Sequence, residues 1–111
     1  MATELTAKKC VPCEKGGPSL PLAQAQALLA QLQGWELVEG RLLRKQFKFP
    51  DFVANMRFVN RVAALAEAED HHPDLHLSYS RLTIELATHA VKGLSENDFI
   101  VAAKIDRLPP A

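Results

Sequence analysis

The sequence has no net charge, no long apolar run and almost no cysteine, and each shortage closes off a class of function. Thirteen basic side chains balance thirteen acidic ones over 111 residues. A chain so balanced has no global field to steer it onto DNA, RNA or an anionic membrane, so neither a nucleic acid nor a membrane is expected as a partner. No apolar stretch approaches the roughly 20 residues that cross a bilayer. The segment Met1 to Lys15 is polar and lacks the apolar core of a secretory signal. Both features point to the cytoplasm. The only two cysteines, Cys10 and Cys13, form a single C-x-x-C. That is half of a zinc ribbon with no second pair to complete it, and it lacks the strand-then-helix setting of a redox pair. A Gly-rich phosphate loop, a G-x-S-x-G elbow and an H-E-x-x-H motif are also missing. Bound phosphate and serine-type acyl transfer therefore have no sequence support.

What is present fills one domain. The 48% hydrophobic content can form a single core, and 23% charged residues is ordinary for a globular chain. Gly16, Gly17 and Pro18 divide a flexible leader with reduced thiols, residues 1–19, from a folded domain, residues 20–111. Ser19 to Pro21 carry helix-start signals, Ala25, Leu28, Leu29 and Leu32 make one apolar stripe, and Gly34 is the stop. From Trp35 to Phe49 the period falls to two, with Glu39-Gly40 as the turn of a hairpin. Lys45 interrupts the alternation, which predicts an edge or bulged strand. Asp51 caps the longest helix, whose main stripe reads Phe52, Met56, Val59, Ala63 and Ala66, widened by Phe58, Val62 and Leu65. That width fits a subunit contact or a larger core. Leu75, Leu77 and Tyr79, then Leu82, Ile84 and Leu86, mark a second hairpin around Ser80-Arg81. Ser95-Glu96-Asn97-Asp98 is a capping box opening the last helix, which stops before Pro109 and Pro110. The order is α-β-β-α-β-β-α. It predicts an α+β fold, a four-stranded antiparallel sheet with helices packed on one face.

Three of the four histidines lie in Asp70-His71-His72-Pro73-Asp74-Leu75-His76, and the fourth is His89 at the end of the last strand. Pro73 disfavours helical geometry in the residue before it, so the long helix must stop at His71-His72. If the second hairpin pairs, its open end brings the Pro73 region close to Thr88 and His89. His71, His72 and His89 then share a polar rim. Imidazoles move protons near neutrality, and Asp70, Asp74 and Asp98 are placed to hold one in its charged form. Each position also has a plain structural reading. His71-His72 can cap a helix C-terminus, His89 can be a surface residue, Asp98 can be only a capping acid, and His76 reads as a solvent-facing strand residue.

The spacing Glu67, His71-His72-Pro73, Tyr79, His89, Asp98 resembles the signature of the pterin-4a-carbinolamine dehydratases. The surrounding Gly34-Trp35, Thr88-His89 and Gly93-Leu94-Ser95-Glu96-Asn97-Asp98 match as well, and the similarity runs from about Leu20 to Asp106. The resemblance implies dehydration of a 4a-hydroxytetrahydropterin, the spent cofactor of an aromatic amino acid hydroxylase, to quinonoid dihydropterin. It implies His71 and His89 as the acid/base pair, with His72 counted among the catalytic histidines and chiefly orienting the pterin. Substrate-binding positions are then His71, His72, Pro73, Thr88, His89, Ala90 and Val91, with Glu67, Tyr79 and Asp98 in support. No metal or organic cofactor is implied, since water loss needs only proton transfer and positioning. The resemblance also implies a homodimer or homotetramer.

Three alternatives stay open. One is a protein-binding role as a dimerisation cofactor. Another is metal binding through the histidines or the Cys10/Cys13 pair. The last is the same fold acting on a pterin of molybdenum-cofactor metabolism.

Overall fold

Three helices and four strands follow in the expected order in the computed structural model, which describes residues 5–10 and 19–109. They are α1 (Leu22–Leu29), β1 (Glu36–Val38), β2 (Leu42–Lys48), α2 (Phe52–Glu69), β3 (Asp74–Ser78), β4 (Arg81–Leu86) and α3 (Glu96–Asp106). The strands form one antiparallel sheet in the order β1-β2-β4-β3. Alternation assigns its faces. Leu43 of β2 and Leu82, Ile84 and Leu86 of β4 are fully buried, together with Val62 of α2 and Phe99 and Val101 of α3. The other face of the sheet carries Arg44, Gln46, Thr83, Glu85 and His76, none of them buried.

Lys45 is the first departure from expectation. β2 is an interior strand, in unbroken register with β4 from Leu43↔Leu86 to Lys48↔Arg81. The lysine sits on the helix side of that strand because Asp106, at the end of α3, takes its ammonium at 2.7 Å. Asp106 also accepts the Trp35 indole N–H at 3.0 Å, and the Lys45 ammonium lies 5.0 Å from the centre of the Phe47 ring. A charge in the layer is tolerated because it is paired and stacked on aromatic faces.

The buried stripe of α2 is the second. Ala54, Asn55, Phe58, Val62 and Ala66 face the core, whereas Phe52, Val53 and Met56 remain 46%, 54% and 36% exposed. The expected apolar surface shares Phe58, Val62 and Ala66 with the core face, and its first turn, at Phe52 and Met56, points outward. The third is the second turn. β3 pairs Ser78 with Arg81, leaving Tyr79-Ser80 as the connection, with Tyr79 in left-handed geometry at φ 47°.

Residues 5–10 of the expected leader are described and pack against the domain. Leu5–Ala7 form a 3-10 turn, and Leu5 is 2% exposed within the core. The Cys10 amide donates to Glu69 at 2.9 Å and the Lys8 ammonium pairs with Glu96 at 3.0 Å. An apolar anchor and two polar ties thus strap this segment across α2 and α3. Cys13 and the Gly16-Gly17-Pro18 break lie outside the described residues.

Candidate active site

The open end of the β3–β4 hairpin gathers the end of α2, the start of α3 and the loop after β4. Asp51 caps α2 at its other end, its carboxylate accepting the Ala54 amide at 2.8 Å. At this end Asp70 turns left-handed (φ 51°), and the His71 amide closes the helix onto the Ala66 carbonyl at 3.1 Å. This closure is a Schellman-type stop, and it aims His71 away from the helix axis towards α3.

Asp98 is the hub. It is fully buried at the third position of α3, in the capping box with Ser95. Its Oδ2 accepts the Ser95 amide at 2.9 Å and the Thr88 hydroxyl at 2.8 Å, and its Oδ1 meets His71 Nε2 at 2.6 Å. The Ser95 hydroxyl completes the set, 2.7 Å from the Thr88 oxygen. A carboxylate that accepts every other bond it makes must accept from His71 too, so Nε2 carries the proton and Nδ1 is left as the exchanging nitrogen. Asp98 is therefore the capping acid of α3 and also a hydrogen-bond partner of His71.

Thr88 carries the network to the fourth histidine. Its amide and carbonyl bridge Gly93, which closes a small loop containing the 3-10 turn His89–Val91. His89 is exposed on that loop, and Ala90 and Val91 are half-buried behind it. The Thr88 hydroxyl is spent on Asp98 and Ser95 and its backbone on Gly93 and Val91, so this residue holds the loop in place. His72 faces solvent beside Glu67, to which its Nε2 is hydrogen-bonded, and Pro73 leads into β3. No hydrogen bond among the described residues joins His71, His72 and His89 directly.

Tyr79 is not brought here. It lies at the far end of β4, 67% exposed, while its carbonyl accepts from the buried Asn55 amide at 2.9 Å. His76 is on the open face of the sheet, 3.4 Å from Glu85, which Arg44 clamps at 2.7 Å. The hydrogen bond from Arg44 holds the Glu85 carboxyl below the usual carboxylate range. Burial pushes the Cys10 thiol up to about 12, helped by Glu69, so it is a packed thiol and not a nucleophile. Among the described residues no group of three His, Cys, Asp or Glu side chains is placed to hold a metal ion.

Comparison with known proteins decides the family. The sequence model of the pterin 4 alpha carbinolamine dehydratases matches residues 18–108. The chain belongs to that family. A Rickettsia canadensis protein provisionally named as such a dehydratase is 49% identical over 105 residues, covering 94% of this chain and 96% of its own. A Rubrobacter xylanophilus protein, named in the same way, is 46% identical over 106 residues, 96% of this chain and 99% of its own. The crystal structure of a transcriptional coactivator/pterin dehydratase from Brucella melitensis superposes with a TM-score of 0.76 at 36% identity, covering 80% of this chain and 96% of that one. A pterin dehydratase-like protein identified as a RuBisCO assembly factor in the alpha-carboxysome shares the fold at 23% identity and a TM-score of 0.58, over 68% of this chain and 88% of that one.

Two cations near His89, Arg41 and Lys92, escape the motif. Continuing the β2–β4 register two residues past Leu43↔Leu86 carries Arg41 to Thr88, and Lys92 ends the His89 turn in left-handed geometry at φ 53°. That register joins strands separated by α2 and β3, so no local signal could have found Arg41.

Proposed function

We propose that the protein is a cytoplasmic hydro-lyase that converts 4a-hydroxytetrahydropterin, of the tetrahydrobiopterin type, to quinonoid dihydropterin and water. It would act beside an aromatic amino acid hydroxylase. The observation that carries this reading is the buried Asp98, which fixes His71 through one oxygen and, through Thr88, the loop bearing His89 by the other. One histidine protonates the departing 4a-hydroxyl as the C4a–O bond breaks. The other takes the proton from the adjacent ring nitrogen as the C–N double bond forms. His71 delivers or receives its proton at Nδ1, with the tautomer set by Asp98. His72 orients the pterin, and Pro73 and the backbone of Thr88 to Val91 line the ring. No step requires a metal.

Association into dimers or tetramers belongs to the same proposal. The exposed apolar residues Phe52, Val53 and Met56 on the outer side of α2 support a subunit contact there.

The test is to add purified protein to an aromatic amino acid hydroxylase assay and follow decay of the 4a-adduct by absorbance. The expected outcome is acceleration without added metal, unchanged by chelator. No acceleration over the spontaneous rate at micromolar protein would reject the assignment.

A further inference from the structure

Beside His89 lies an open cavity of about 340 Å³ whose walls are apolar and whose charges are all positive. Leu42, Ala87, Arg41 and Lys92 are among its lining residues, and no acid is. The acid two positions before Ala87, Glu85, is already taken by Arg44. Neither the Arg41 guanidinium nor the Lys92 ammonium has an ion-pair partner among the described residues, whereas Lys8, Arg44, Lys45 and Lys104 are all paired. The two cations come from separate segments. Arg41 follows the left-handed pair Glu39 and Gly40 (φ 52° and 67°), where its amide bonds the Val38 carbonyl. The Lys92 amide bonds the His89 carbonyl at 3.1 Å. The Lys92 backbone is therefore tied to His89, and the Arg41 backbone to the β1–β2 turn.

From this we infer that Arg41 and Lys92 form a subsite for an anionic substituent on the pterin, a phosphate ester or a carboxylate. The inference rests on the pterin reading above and sharpens it by naming the substrate class. Leu42 and Ala87 accept the carbons that link ring to anion. The ring then stays against His89, and the charge rests between the two cations. An uncharged side chain leaves both cations with water only.

Stable, fluorescent, fully oxidised pterins test this without any need for turnover. Binding of pterin 6-carboxylate and of phosphorylated 6-hydroxymethylpterin is compared with that of neutral 6-hydroxymethylpterin by fluorescence titration at low salt. The anionic ligands are expected to bind tighter by about fivefold for each cation engaged, the scale of an exposed ion pair. That ratio should shrink with added salt and fall to about one in Arg41→Gln/Lys92→Gln. The carboxylate and phosphate arms show which anion fits better. Equal binding of charged and neutral pterins, or a preference that survives in the double variant, would overturn the subsite. Dehydration of a neutral 4a-hydroxytetrahydropterin is measured in parallel. Turnover without an anionic preference removes the subsite and leaves the activity. An anionic preference without turnover removes the activity and leaves the subsite.

Discussion

The two ends of α3 each carry an aspartate, and the molecule uses them oppositely. Asp98, in the first turn, is fully buried and holds a histidine, a hydroxyl and an amide. Asp106, at the last residue of the helix, is 18% exposed and holds a lysine and an indole. Eight residues place them about 12 Å apart along the axis. At the Asp106 end every partner is permanently charged or a fixed donor, and Trp35, Phe47, Phe49 and Phe58 pack around it with ring centres 5.1–6.5 Å apart. That is a structural lock. At the Asp98 end the partner is an imidazole with one nitrogen still free to exchange, and the next element bears a second imidazole. The proposed proton transfer belongs to that end.

The largest expected effect separates the ends by rate. His71→Ala and His89→Ala should each lower kcat by about 10²–10⁴-fold, the usual loss of a general acid or base. If each serves one face of the pterin, the two variants should favour opposite 4a stereoisomers, which kinetics on the separated isomers would reveal. Changes at the Asp106 end should leave both isomers' rates alone.

The next effect is on stability. Asp98→Ala removes a buried carboxylate from three hydrogen-bond partners and should cost about 2–4 kcal/mol in denaturant unfolding. Asp106→Ala removes a partly hydrated pair and should cost about 1–2 kcal/mol. Equal costs would blur the distinction between a buried hub and a peripheral lock.

A smaller, pH-dependent effect belongs to the strap that backs the catalytic end. Burial alone would raise the Glu69 carboxyl, but hydrogen bonds from Lys104 and from the Cys10 amide outweigh it and hold it below its ordinary 4.5. A carboxylate lowered on folding adds stability above its unfolded value and loses it as pH falls through the folded one. Wild type should therefore exceed Glu69→Gln in unfolding midpoint at pH 7, and the gap should close as pH falls below about 4.5. A gap that held constant down to pH 3 would mean that packing, not charge, is what Glu69 contributes.

The smallest effect is at His76. It sits on the open face of the sheet, so His76→Ala should change kcat and KM little and stability by no more than about 0.5 kcal/mol. Damage comparable to His71→Ala would contradict the placement of the site at the open end of the β3–β4 hairpin.

Local signals were legible and partners across the chain were not. The capping box at Ser95 and Asp98, the turn at Glu39-Gly40 and the stop before Pro73 each depend on neighbours within four residues, and each is present as read. The bond from His71 to Asp98 spans 27 residues and has no local signature. Without it His71 reads as a rim residue, when its side chain is only 11% exposed. Lys45 misled for the same reason, since its partner Asp106 lies 61 residues away. The stripe of α2 misled because apolar residues cover most of the helix, so periodicity fixed its existence but not its phase. Leu5 shows that a mostly polar segment can dock through one apolar side chain helped by polar ties. Tyr79, which belongs to the spaced motif, stands at the other end of β4, and nothing within one chain brings it to the histidines.

The most direct measurement compares Asp98→Asn and Asp106→Asn with wild type in single-turnover decay of 4a-hydroxytetrahydropterin. Both substitutions keep the side-chain shape and remove the charge. Asp98→Asn should slow the decay by at least about tenfold, because the amide no longer fixes the His71 tautomer or balances its charge, while Asp106→Asn should match wild type. Equal rates for all three proteins, or a loss confined to Asp106→Asn, would contradict the assignment of the proton-transfer site to the Asp98 end.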